Sequence, residues 1–333
     1  MTDLVNGDKI LTERDSVNRI YTIIGGNIMF FFESIPWYTA LMFIVVVATL
    51  IGLNQLTRMN KWAGLAIFLV LPIILSFTLW PVTAGPETTV GTWFAWVKVY
   101  SALAGCLGFM AIRYSEKARS YKWLLMFPPL ILSVNILEAV VREFQLMSAN
   151  GFIDGMTIIG GPWNMMNGIA GILNIITLSG WVGIIVSRDK TKDMVWPDML
   201  WFWIIAYDLW NFAYVYNCVP NHAFYAGAAL LLSCTIPAFF IKKGAWLQHR
   251  AHTLGLWMIF VMSYPTFVDT TIFAVQSSHN KSALMLVAVL SLSFNLGVFV
   301  YHVYTIVKTK RNPIKEEVYT NLEIYKDVLA ENV

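Results

Sequence analysis

Nine stretches of about twenty apolar residues recur along the chain, at 37–57, 63–80, 93–112, 123–141, 164–186, 198–218, 223–241, 252–275 and 283–307. An α-helix of that length crosses the hydrocarbon core of a bilayer. Soluble folds do not repeat such runs, and 57% hydrophobic against 13% charged residues agrees. The expected fold is therefore all-α: a polytopic integral membrane helical bundle of nine transmembrane helices. Residues 1–35 form a preceding tail, 36–307 the transmembrane domain, and 308–333 a closing amphipathic tail.

Charge orients the bundle. If alternate loops are assigned to the two sides, seventeen of the 23 Lys and Arg fall on one side. Basic loops stay cytoplasmic, so the amino terminus is expected outside and the carboxyl terminus inside the cell membrane. Two amphipathic stretches flank the spans. Ile20, Ile23, Ile24, Ile28 and Phe31 recur at helical spacing, which suits an interfacial helix, with a re-entrant segment or a tenth span as rival readings. Beyond the last span, Asn312 and Pro313 open a helix whose face carries Ile314, Val318, Leu322, Tyr325 and Leu329.

Within the spans, the informative residues are those that lipid excludes: Lys98, Glu138, Asp208 and Asp269. An ionisable group at mid-bilayer costs about 2.5–3.5 kcal/mol on insertion scales, so such groups face a bundle interior or a wet cavity. At 100° per residue, Tyr207, Asn211 and Tyr214 fall within about 120° of Asp208 on one side of the sixth span, and Ile205, Leu209, Phe212 and Ala213 on the other form the expected lipid-facing side. With Trp210 as an aromatic wall, these residues are the expected substrate-binding group.

Asn135, Glu138, Arg142 and Gln145 share one face of the fourth span, and Met262, Thr266, Asp269, Phe273 and Gln276 one face of the eighth. Glu138 and Asp269 are the expected proton-coupling acids, with Arg142 one turn from Glu138 as a salt-bridge partner. Asn167, Asn174 and Asn295, together with Lys98 and Asn135, complete the supporting polar set, interhelical hydrogen bonding being the plainer role of the asparagines. The fourth, sixth and eighth spans each carry one acid after a basic loop, a coarse repeat of helical hairpins.

Other chemistry is missing. His222, His249, His252, His279 and His302 form no metal-binding pair, His249 and His252 reading as a solvated basic rim beside Arg250. Cys106, Cys218 and Cys234 sit in apolar runs at no disulfide or ligand spacing. No metal and no cofactor motif is expected, and no basic stripe suits nucleic acid. The expected partners are the lipid bilayer, a small-molecule solute and, for a bundle of this kind, a second copy of the chain. The leading functional expectation is a secondary transporter, proton-coupled through its acids, or a binder of a small polar or cationic solute. A membrane-embedded enzyme acting on a lipid or quinone-like substrate by acid–base chemistry is the alternative.

Overall fold

The computed structural model describes residues 30–86 and 88–333; the expected interfacial helix at residues 20–32 lies almost wholly outside them. The described chain is mostly helical. Each predicted run corresponds to a helix: α1 (Trp37–Met59), α2 (Lys61–Phe77), α3 (Trp93–Tyr114), α4 (Lys122–Leu146), α5 (Pro162–Ile176), α6 (Trp201–Cys218), α7 (Pro220–Phe240), α8 (Trp246–Ser263) and α9 (Lys281–Thr309). Five of them, α1, α3, α4, α7 and α9, are long and apolar enough to cross a membrane.

Local chemistry sets the boundaries. Thr92 and Asn280 cap α3 and α9 by accepting from the backbone N–H of Ala95 and Ser282. Within α2 a π-helical stretch, Ala66–Val70, precedes Pro72, which has no N–H to donate. Pro237 lies inside α7.

The connections collect at two ends of the bundle. At one end, β1 (Asn150–Ile153) and β2 (Met156–Ile159) form an antiparallel hairpin turned by Asp154-Gly155, both at positive φ (52° and 76°), as a tight two-residue turn requires. Phe32 bridges Ser277 at this hairpin end, and Tyr216 donates to the Phe31 carbonyl at 2.7 Å. At the opposite end a two-stranded clip, β3 (Ile185–Val186) with β4 (Met194–Val195), carries Asp193, which faces Arg58 and Arg113 at 3.6 and 3.8 Å. The carboxyl-terminal segment docks on this clip end, where Asp198 accepts from the backbone N–H of Val318 and Tyr319, both at 2.9 Å.

Five expectations are corrected. The fifth span ends at Ile176 rather than 186, because Thr177 to Leu200 leave the helix to build the clip end. The eighth begins at Trp246 and stops at Ser263, so Met262, Thr266, Asp269, Phe273 and Gln276 share no helical face; Asp269 sits on a separate turn, Thr266–Asp269. The fourth runs on through Leu146 and takes Arg142 and Glu143 into the bundle. The tail helix, α10 (Glu323–Asn332), starts ten residues later than Asn312-Pro313 suggests, since Val318 and Tyr319 are spent on Asp198 in an irregular turn. Finally, His249 and His252 are no solvated rim. Both are fully buried, with Nδ1 2.8 Å from Asn54 Nδ2 and 3.1 Å from Thr57 Oγ1 of α1.

Burial also explains why a two-faced picture fails for α6. Twelve of its eighteen residues are buried, because α4, α5, α7 and α9 all pack on it. Large apolar side chains are instead exposed on the peripheral helices: Leu41 and Ile44 on α1, Leu130 and Leu137 on α4, Ile169 and Ile172 on α5, Phe294 and Val300 on α9. A surface of this kind suits lipid.

Candidate functional site

A cavity of about 140 Å³ lies between α3, α4, α6, α7 and α8. Its lining on α8 runs from Leu247 to Val261, about 21 Å at 1.5 Å per residue. Thr89, Asp154 and His222 border it at the hairpin end, while Arg250 and Leu247 line it toward the clip end. The walls are mainly apolar, among them Phe94, Leu132, Trp257 and Met258, with a few polar groups set between them, the usual make-up of a small-molecule site.

Helical spacing brings the polar groups together. Tyr207, Asn211 and Tyr214, at i, i+4 and i+7 on α6, all line the cavity. Arg250 reaches them from α8: its Nε donates to the Tyr207 hydroxyl at 3.4 Å and its Nη2 to Asn211 Oδ1 at 3.2 Å. The guanidinium also lies 5.9 Å from the centre of the Tyr207 ring, within cation–π range. Arg250 is 6% exposed, and its Nη1 meets no acceptor among the described residues. The Tyr214 hydroxyl, also buried, lacks a partner in the same sense.

On the opposite wall Lys98 of α3 pairs with Glu138 of α4 at 2.9 Å and donates to Asn135 Oδ1 at 3.1 Å and to the Asn135 carbonyl at 3.2 Å. Arg142 pairs with Asp154, carried to it by the hairpin turn. The expected Glu138–Arg142 pair is therefore replaced by two pairs reaching out to other elements. A one-turn spacing permits a pair along a helix, but in a bundle the neighbouring helix competes for the same charge. At the mouth, Thr89 Oγ1 lies 2.6 Å from Asp269 Oδ1 and 2.7 Å from His222 Nε2, linking an acid to an imidazole through one hydroxyl.

The residues read from the sequence thus divide into three groups. Tyr207, Asn211, Tyr214, Lys98, Asn135 and Arg142 line the cavity, and Glu138 and Asp269 each hold a residue that does. Asp208 does not line it. The carboxylate turns to α7 and accepts from Thr235 Oγ1 at 2.7 Å, so the three acids share no common chamber. Trp210 faces α5, donating its Nε1–H to the Asn167 carbonyl at 3.1 Å.

Asn167, Asn174 and Asn295 lie in the seam between α5, α6 and α9. Asn295 donates to the Ala206 carbonyl at 3.0 Å, Asn167 Oδ1 accepts from Ser291 at 2.6 Å, and the Asn174 carbonyl accepts from Trp203 Nε1 at 3.3 Å. That seam holds a charge the sequence reading passed over. Glu143 is fully buried, Oε2 accepting from Asn164 Nδ2 at 2.6 Å and Oε1 from Asn167 Nδ2 at 2.6 Å and Asn217 Nδ2 at 3.3 Å. Arg250 was the second omission, having been counted among the basic loop residues.

A family model matches residues 33–331, the whole described bundle and nearly all of its tail. The chain belongs to DUF5692, a family of unknown function. No curated protein and no solved structure matches it significantly. The chemistry of this DUF5692 member is consequently read from its own side chains, and Arg250 with Tyr207, Asn211 and Tyr214 forms one polar group on the cavity wall, Lys98, Asn135 and Arg142 another.

Proposed function

We propose that this protein is a nine-span cell-membrane protein, amino terminus outside and carboxyl terminus inside, whose cavity binds a small solute and passes it across the bilayer. The observation that carries the reading is the cavity itself: about 140 Å³ inside a helical bundle, bordered by loops at one end and lined at depth by a buried charge. Basic residues crowd the clip end, which supports placing that end in the cytoplasm, and the lipid-compatible exterior of α1, α4, α5 and α9 supports spanning. On this reading the cavity opens outward. Asp269, Thr89 and His222 at its mouth, and Glu138 behind Lys98, are the groups through which a proton could be coupled to the solute.

Uptake into proteoliposomes tests the proposal, using labelled carboxylates, amines and sugars small enough for the cavity. At least one class is expected to accumulate chemically unchanged. Gly105→Leu is expected to stop it: a Cβ at Gly105 meets nothing nearer than Ile131 Cγ1 at 3.9 Å, so a larger side chain there grows into the cavity. Chemical conversion of the solute, or uptake indifferent to Gly105→Leu, would count against transport through this cavity.

A further inference from the structure

We infer that the cavity takes a small organic anion, a carboxylate on an apolar body, and that Arg250 holds its charge. This rests on reading the cavity as a solute site and adds the chemical class of the solute.

Charge pairing around the cavity leads to the inference. Asp154 is the one acid among the lining residues, and Arg142 takes it; Lys98 is taken by Glu138. Arg250 remains. Its two protein acceptors, the Tyr207 hydroxyl and the Asn211 amide oxygen, are both neutral. The acid whose field reaches it, Asp208, bonds Thr235 and forms no ion pair with it. Nη1 is left with no acceptor among the described residues on a side chain that lines the cavity. A guanidinium presents its donors in a rigid plane that suits a carboxylate, and here Tyr207 and Asn211 hold its Nε and Nη2 in place, leaving the Nη1 side for a ligand. Tyr214, two turns along the same face of α6, also lines the cavity, and its buried hydroxyl has no partner among the described residues.

Sign, size and polarity of the walls narrow the class. A cation would enter beside an uncompensated guanidinium and would have to displace Lys98 or Arg142 to find an acid. A phosphate, with about two charges, would find one free cation among the lining residues. The remaining wall is apolar, and an apolar cavity of about 150 Å³ accommodates benzene, close to the 140 Å³ here. Benzoate therefore matches the site in charge, shape and apolar body.

Three probes sharing one body test the assignment: benzoate, benzamide and benzylammonium, titrated at neutral pH into the detergent-solubilised full chain and followed by intrinsic tryptophan fluorescence, to which Trp257 on the cavity wall contributes. Benzoate is expected to bind at least tenfold more tightly than benzamide, with benzylammonium weakest. Arg250→Gln should erase the preference of benzoate over benzamide, and Arg250→Lys should restore part of it. Gly105→Leu should abolish binding of all three. If benzamide or benzylammonium equals or exceeds benzoate in the unaltered protein and is lost in Gly105→Leu, the anion assignment is overturned while the solute cavity stands. If no probe binds, or binding survives Gly105→Leu, both readings are overturned. Should Arg250→Gln fail to fold, the ranking of the three probes in the unaltered chain still decides.

Discussion

Arg250 and Glu143 are both buried ionisable groups packed against α6, and they are treated in opposite ways. Glu143 lies in a closed seam, where three asparagine side chains from α5 and α6 direct amide N–H groups at its two oxygens. Its acceptor capacity is met by the protein. Arg250 faces a cavity, leans on two neutral acceptors, and keeps one nitrogen unengaged. Burial alone therefore does not mark a functional charge. A buried ion fully met by surrounding dipoles holds helices in register, whereas one with unmet donors on a cavity wall carries a desolvation cost that folding does not recover. On the proposed reading, a bound anion recovers that cost.

The contrast can be broken most severely at Glu143. Replacing it with Leu removes the shared acceptor of the Asn164, Asn167 and Asn217 amides, of which Asn167 keeps the Trp210 carbonyl, and stability should fall by about 3 kcal/mol, read as a lower midpoint of thermal unfolding in detergent. Benzoate affinity per folded molecule should stay unchanged; a specific loss of affinity with stability intact would place Glu143 in the site instead. Next comes Lys98–Glu138, whose side chains are only 12% and 14% exposed. Either Lys98→Met or Glu138→Leu alone should cost about 1–3 kcal/mol, and the double variant less than their sum, as a double-mutant cycle would reveal. Strict additivity would mean the pair is not coupled.

At the clip end, Asp198→Ala removes the acceptor for Ser179 and for the backbone of Val318 and Tyr319. A local loss of about 1–2 kcal/mol should free the tail. Faster trypsin cleavage after Lys315 or Lys326 would report it, with the cavity unaffected. The smallest effect is expected at Asp208. Asn at that position keeps an acceptor for Thr235, so stability should move by less than about 1 kcal/mol and benzoate affinity by less than about twofold. A large loss of affinity would return Asp208 to the site.

The helix positions were legible because lipid-compatible length leaves a plain signature in sequence. Their internal faces were harder to read. Phase analysis of α6 assumes one inward and one outward side, but α6 is enclosed, so Tyr207, Asp208 and Trp210 serve three different neighbours: α8, α7 and α5. Leu247 to His252 of α8 escaped for a related reason. LQHRAH is too polar for a hydropathy window, although bonds to α1, α6 and the clip bury Gln248, His249, Arg250 and His252. Glu143 was missed by ending the fourth span at Val141, and its three partners lie 21, 24 and 74 residues away from it in sequence. One signal was present and passed over: Asp154-Gly155 between NGFI and MTII is a strong hairpin cue, and that hairpin delivers the acid for Arg142.

The central claim is that Arg250 serves a ligand more than the fold, and thermal unfolding of the unaltered protein and of Arg250→Gln, each with and without saturating benzoate, tests it most directly. A ligand that binds only the folded state raises the midpoint, by a stabilisation that grows with the logarithm of its concentration relative to Kd. The account predicts that benzoate raises the midpoint of the unaltered protein, and that Arg250→Gln starts at the same or a higher midpoint and does not respond. A midpoint indifferent to benzoate in the unaltered protein, together with marked destabilisation by Arg250→Gln, would contradict it and make Arg250 a structural residue.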